Sequence, residues 1–295
     1  MRKINVLGGL PRAGTTLAAQ ILNSNPNFHV TPTSGIIDSV KSIRSNFSQS
    51  PTWRAQDRIK LMPNIRQAMK GFLNGFFFDK DVVFDKSRGW SNNISLLDNI
   101  LENEETKILF FYRDPVEIVG SIEAQYQKTI LLENTDEASA PGAFSTLDRR
   151  VGTFINDDSI ISYPIESLRD AIEMGYGNRI LFIKYFDLTN NTQAVMDLIH
   201  NFIGEPLYTY DLANIKQSTY EWDGVYNYKF LHTIKEGEIK WKKADITLPK
   251  NYADAISERF KAINKLMFTG DASELLNLPE GTVFLNVPVV VKKEQ

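Results

Sequence analysis

The stretch Gly9-Leu10-Pro11-Arg12-Ala13-Gly14-Thr15-Thr16 sits between the apolar run Ile4 to Leu7 and a helix-like segment, Thr16 to Leu22. It fits G-x-x-x-x-G between a strand and a helix, where successive backbone N–H groups and a helix N-terminus face an anion. The glycines let the chain approach a phosphate closely and take positive φ where the turn needs it. A plain glycine turn capped by Thr15 would share these letters; the strand before and the helix after favour the phosphate loop. Nucleotide-triphosphatase loops carry G-K-[S/T], whose lysine holds the β- and γ-phosphates, whereas this chain has Gly14-Thr15-Thr16. The cation has moved to Arg12, inside the loop. ATP or GTP hydrolysis is therefore disfavoured, and a different phosphorylated donor is expected.

Beyond the loop, Val82-Val83-Phe84, Ile108 to Tyr112 and Ile180 to Ile183 are short, continuous apolar runs like Ile4 to Leu7. Such runs read as strands buried on both faces, the habit of a parallel sheet. Helical spacing is visible from Arg58 to Phe77 and from Pro115 to Lys128, the latter opening on proline. Strand–helix alternation predicts an α/β sheet covered by helices on both faces, read as one domain over residues 1–295. Leu132 to Ser145 reads as a mobile loop, either a substrate lid or a linker. Val289-Val290-Val291 reads as a short closing strand.

Composition narrows the function classes. The chain has no cysteine, so disulfides, Cys-ligated metals and a cysteine nucleophile are excluded. Its 33 Lys+Arg against 36 Asp+Glu give a net charge of −3, which argues against nucleic acid as a partner. No His cluster has ligand spacing, and no metal is expected. The N-terminus lacks a secretory apolar run, and even Phe72 to Phe78 is far shorter than the roughly 20 residues of a membrane span. A soluble, cytoplasmic protein is the expectation.

Pro11-Arg12-Ala13-Gly14-Thr15-Thr16 resembles the sulfotransferase family, whose 5′-phosphosulfate loop reads P-[K/R]-[S/A]-G-T-T after a strand. A second family element is an arginine at a strand end with a serine eight positions on, both on the donor's 3′-phosphate; Arg113 and Ser121 match it. An arginine at the carboxyl end of a buried strand points into the crevice where open α/β sheets bind ligands, and its fork suits a phosphate. Pairing of Arg113 with Asp114 is the purely structural alternative. Lys184-Tyr185-Phe186-Asp187-Leu188 is similar to the family's Y-E-D-L, with Tyr185 implied at the donor. His232-Thr233-Ile234-Lys235-Glu236-Gly237 is more loosely similar to the loop that closes over the 3′-phosphate, implying Thr233, Lys235 and Gly237. The resemblance implies a P-loop NTPase-like three-layer fold and 3′-phosphoadenosine-5′-phosphosulfate (PAPS) as co-substrate. Adenosine 3′,5′-bisphosphate (PAP) would be the product and no metal would be needed. The wording of the loop looks closer to the tyrosylprotein-like and bacterial branches than to the cytosolic small-molecule branch.

Phe84-Asp85-Lys86-Ser87-Arg88-Gly89-Trp90 resembles the family's lysine-bearing segment at the sulfuryl site, with Lys86 on the sulfuryl oxygens. In the cytosolic branch it reads K-x-H, the histidine being general base. Arg88 stands there in this chain and cannot accept a proton. Arg88 and Trp90 are placed at the acceptor pocket. His29 is the base candidate by intrinsic pKa, with Asp38, Asp85, Glu221 and Asp223 as others. The acceptor is a small molecule, glycan or peptide, and the protein a monomer or homodimer. Two other readings stay open: a P-loop small-molecule kinase, with Asp85 holding Mg²⁺, and a non-catalytic nucleotide-binding protein.

Overall fold

The apolar runs are strands because their side chains are buried on both faces, and a parallel sheet provides that only when helices cover it. The computed structural model describes residues 2–77, 79–128, 131, 142, 145–226, 232–234, 239 and 246–277. Among these, β1 (Lys3–Gly9), β2 (Phe28–Thr33), β3 (Val82–Lys86), β4 (Ile108–Tyr112) and β5 (Ile180–Lys184) form one sheet in the order β2-β3-β1-β4-β5. Every pairing is parallel. Phe84, Phe110, Phe111 and Phe182 are fully buried, and the Phe110 and Phe182 rings meet edge to face at 5.8 Å.

Helices flank the sheet, giving the α/β, P-loop-like architecture expected from the alternation. The elements around the site are α1 (Thr15–Asn23), α2 (Ile36–Gln49), α3 (Pro51–Arg54), α4 (Arg58–Phe76), α5 (Ile94–Leu101) and α6 (Pro115–Lys128). The start of α4 is set by Asp57, whose side chain accepts from the N–H groups of Ile59 and Lys60. Pro63 is carried inside that helix at the loss of one backbone hydrogen bond. The helix ends at Phe76, one residue short of the predicted Phe77.

β1 lies between β3 and β4, and the chain builds first on one side of it and then on the other. Such a switch point opens a crevice at the carboxyl ends of the strands, where open α/β sheets take their ligands. The loop after β1 and the residue after β4 both emerge there. Among the described residues no helix is long and apolar enough to cross a membrane. The predicted strand at Val289 and, apart from Gly142 and Ser145, the loop Leu132 to Ser145 lie outside the described residues.

Candidate active site

The phosphate loop begins where β1 passes β4 unusually closely. Gly9 has φ +117°, and a Cβ there would fall 2.2 Å from the carbonyl oxygen of Phe111, so only glycine fits. Leu10 N–H then donates to that same carbonyl at 2.8 Å. Arg12 takes φ 58°, a left-handed conformation rare outside glycine, which marks strain of the kind kept at functional sites. Gly14, at φ +90°, is the N-cap of α1, and no side chain caps that helix. The cap is therefore Gly14 and not Thr15. The first-turn N–H groups are left for an anion or water.

The structure brings the two expected arginines together. Arg113, buried at the end of β4, donates from Nη1 to the Arg12 carbonyl at 3.3 Å and from Nε to Glu117 at 3.1 Å. Asp114, the partner of the purely structural alternative, accepts from the N–H of Val116 at 2.8 Å. Arg12 Nε lies 3.4 Å from Ser121 Oγ, two turns into α6. Tyr185 closes the hollow: its ring lies 4.6 Å from the Arg113 guanidinium carbon, and a Cβ on Gly14 would meet it at 2.8 Å. Burial pushes the Arg12 guanidinium below its usual value, and the charge of Arg113 adds to this. Two guanidiniums that repel each other in a buried hollow, beside a helix start that no side chain caps, have a charge balance that an anion between them would relieve.

Lys86 ends β3 on the same side. Its Nζ donates to Thr16 of the loop at 3.1 Å and to Glu221 Oε1 at 2.6 Å. Burial lowers the Lys86 pKa, and the Glu221 charge restrains that shift. Burial by itself would raise Glu221, but the charge and hydrogen bond of Lys86, with Thr33 and His232, hold its carboxyl below the ordinary range. The other Glu221 oxygen lies 3.4 Å from His232 Nδ1, which is closer, at 2.6 Å, to Asp223. The segment bearing Glu221 is fixed by Gln20 of α1, fully buried. Its carbonyl accepts from Ser218 N and Oγ, both at 2.7 Å, and its amide donates to Thr219 Oγ1 at 2.6 Å.

Other candidates fall elsewhere. His29 is not brought to this cluster. In the register it pairs with Val83, three residues before Lys86 on β3, so it sits about 10 Å back along the sheet. Its Nδ1 contacts Asp79 at 3.0 Å. Asp38 is exposed in the first turn of α2. Asp85 is wholly buried, with its oxygens accepting from Thr31 Oγ1 at 2.9 Å and Trp90 Nε1 at 2.6 Å. Burial pushes that carboxyl up, against those hydrogen bonds. Trp90 is 0% exposed, so it supports Asp85 from inside the fold and presents no surface to an acceptor. Arg88 is exposed, with Nη1 3.4 Å from the Ile160 carbonyl. Thr233 is exposed beside His232, and Lys235 and Gly237 lie outside the described residues.

Glu117, Gln20 and His232 were not singled out from the sequence as site residues. Glu117 stands one turn beyond Arg113, a spacing that allows an i,i+4 ion pair. Nothing local marks Gln20, whose partners lie almost two hundred positions away.

A five-stranded parallel sheet covered by helices, with a glycine loop at the end of its first strand and two arginines brought together beside it, defines a P-loop-like α/β fold. The sulfotransferase-domain family model matches residues 5–223, and the chain belongs to that family. Its fold is similar to the sulfotransferase domain from the curacin biosynthetic pathway, at 15% identity and TM-score 0.53, covering 88% of this chain and 97% of that one. It is also similar to a mouse sulfotransferase solved with PAP, at 13% identity and TM-score 0.51, covering 94% of this chain and 88% of that one. No curated protein matches the chain in sequence.

Proposed function

We propose that this protein is a PAPS-dependent sulfotransferase whose single domain transfers a sulfuryl group in line to a hydroxyl or amine of a small molecule, glycan or peptide. The observation that carries the reading is the shared hollow of Arg12 and Arg113, joined by a 3.3 Å hydrogen bond across the first and fourth strand ends. Pro11 to Thr16 hold the 5′-phosphosulfate through backbone N–H groups and Arg12. Arg113 and Ser121 hold the 3′-phosphate, with Glu117 orienting Arg113 from its Nε side. Tyr185 packs beside them. A sulfotransferase of similar fold was crystallised with PAP, which supports the same donor class here.

In the transfer, the acceptor oxygen or nitrogen forms a bond to sulfur while the sulfur–oxygen bond to the 5′-phosphate breaks, and the electron pair leaves with PAP. Negative charge grows on the departing bridging oxygen. Arg12 and the N–H groups at the start of α1 stabilise it, and Lys86 binds the sulfuryl oxygens. A fixed donor of this kind is worth about 3 kcal/mol in a transition state.

The kinase reading loses support at Asp85, whose oxygens accept from Thr31 and Trp90 and which is wholly buried. Titration with PAP, followed by transfer from ³⁵S-labelled PAPS to a panel of phenols, alcohols and amines, tests the reading. Stabilisation with labelled product supports an enzyme. Stabilisation without product from any acceptor class favours a non-catalytic nucleotide-binding protein.

A further inference from the structure

We infer that Glu221 is the general base of this site and that the arriving sulfuryl group switches it on by drawing Lys86 away; this rests on the sulfotransferase reading above. Glu221 alone among the acidic candidates contacts Lys86 directly. Asp85 is enclosed and its oxygens are occupied, Asp38 is exposed on α2, and Asp223 is engaged with both the backbone N–H and the ring of His232. Glu221 is placed against the lysine at the sulfuryl position, with Oε1 at 2.6 Å from Nζ. That contact spans 135 residues of chain, and the Gln20 clamp on Ser218 and Thr219 holds it in register.

Two opposing influences meet at this carboxylate. Burial favours the protonated acid, while Lys86 and, less strongly, His232 favour the anion. An ammonium has three N–H donors, and Lys86 spends two of them on Thr16 and Glu221. When the donor's anionic sulfuryl oxygens take a share of the Lys86 charge, the influence of burial on Glu221 remains and that of Lys86 shrinks. The carboxylate becomes more basic only with donor in place. The acceptor's proton then passes to Glu221 as the acceptor–sulfur bond forms and the sulfur–oxygen bond to PAP breaks. The titratable groups facing this carboxylate are Lys86 and His232; Asp223 stands behind His232, and Arg88 acts on Lys86.

The test uses the full chain with PAPS, with an aliphatic alcohol or water as acceptor and PAP release as readout. Glu221→Gln is expected to lower kcat by roughly 100-fold or more, within the usual range for a lost general base. Its affinity for PAP is expected to stay within about twofold of wild type. Glu221→Ala should regain turnover with added formate, which a merely structural carboxylate would not allow. In wild type, the acidic limb of kcat should lie at higher pH than that of kcat/KM, because one reports the donor complex and the other the free enzyme. A Glu221→Gln variant that binds PAP and keeps kcat and its acidic limb overturns the base while leaving the sulfotransferase reading intact. A wild type that neither binds PAP nor releases it from PAPS overturns both. One that binds PAP but releases none overturns the base and the catalytic part of the reading.

Discussion

Arg113 donates to the carbonyl of Arg12 at 3.3 Å, so the cation after β4 helps fix the backbone of the loop after β1. The two arginines have separate tasks in the proposed reaction, one on leaving-group charge and one on ground-state binding. Arg12→Ala should therefore lower kcat by about 100-fold, the equivalent of roughly 3 kcal/mol, while weakening PAP less than tenfold. Steady-state kinetics beside calorimetric PAP titration separate the two effects. Equal losses would mean that Arg12 binds donor and transition state alike.

Gln20 joins the loop helix to the segment that carries Glu221, and its removal leaves the N–H groups of Ser218 and Thr219 without their acceptor. Gln20→Ala is expected to reduce stability by about 1–3 kcal/mol. It should also reduce kcat about tenfold or more with little change in PAP affinity, because Gln20 positions Glu221 and does not touch the donor. Urea unfolding and turnover measured on the same preparation check both parts.

The close passage of β1 over β4 predicts a sharp contrast between two glycines. Gly9→Ala would drive a Cβ into the Phe111 backbone at a φ that L-residues rarely adopt, and should cost about 3 kcal/mol or more. Gly71 lies in α4 with nothing within 4 Å of an added Cβ, so Gly71→Ala should stabilise by about 0.5–1 kcal/mol. Thermal melts of the two variants should move in opposite directions.

The Lys86–Glu221 pair makes stability depend on pH on the acid side. Because the Glu221 carboxyl is held below its ordinary value in the fold, its contribution is present above about pH 4.3, the unfolded value. It is lost as pH falls through the lower folded value. Glu221→Gln should therefore destabilise at pH 7 by on the order of 3 kcal/mol, as expected when one partner of a buried pair is removed. The gap from wild type should narrow below about pH 4. A gap that stays constant down to pH 3 would show that the pairing contributes no charge-dependent stability.

The parts of the fold legible in the sequence are those whose cause is local. β3, β4 and β5 announce themselves as unbroken apolar runs, and the phosphate loop as glycines between a strand and a helix. Arg113 and Ser121 are picked out by their resemblance to a family spacing, for which a strand end and two helical turns supply the physical reason. His29 illustrates the limit: its intrinsic pKa fits a base, but the strand register that leaves it about 10 Å from the Lys86 level is a property of three-dimensional pairing. Trp90 reads as an aromatic near the lysine, yet its indole is turned inward to satisfy the buried Asp85. The contact of Glu221 with Lys86 and its support by Gln20 join distant segments, so residue type alone leaves Glu221 one acid among several.

The most direct test is calorimetric titration of wild type and Arg113→Ala with PAP and with adenosine 5′-phosphate, which lacks the 3′-phosphate. Wild type is predicted to bind PAP at least about tenfold more tightly than adenosine 5′-phosphate, as loss of one charge-assisted contact of roughly 1.5–3 kcal/mol requires. Arg113→Ala should abolish that preference while leaving adenosine 5′-phosphate binding within about twofold. Equal affinity of wild type for the two nucleotides, or a preference untouched by Arg113→Ala, would contradict the account.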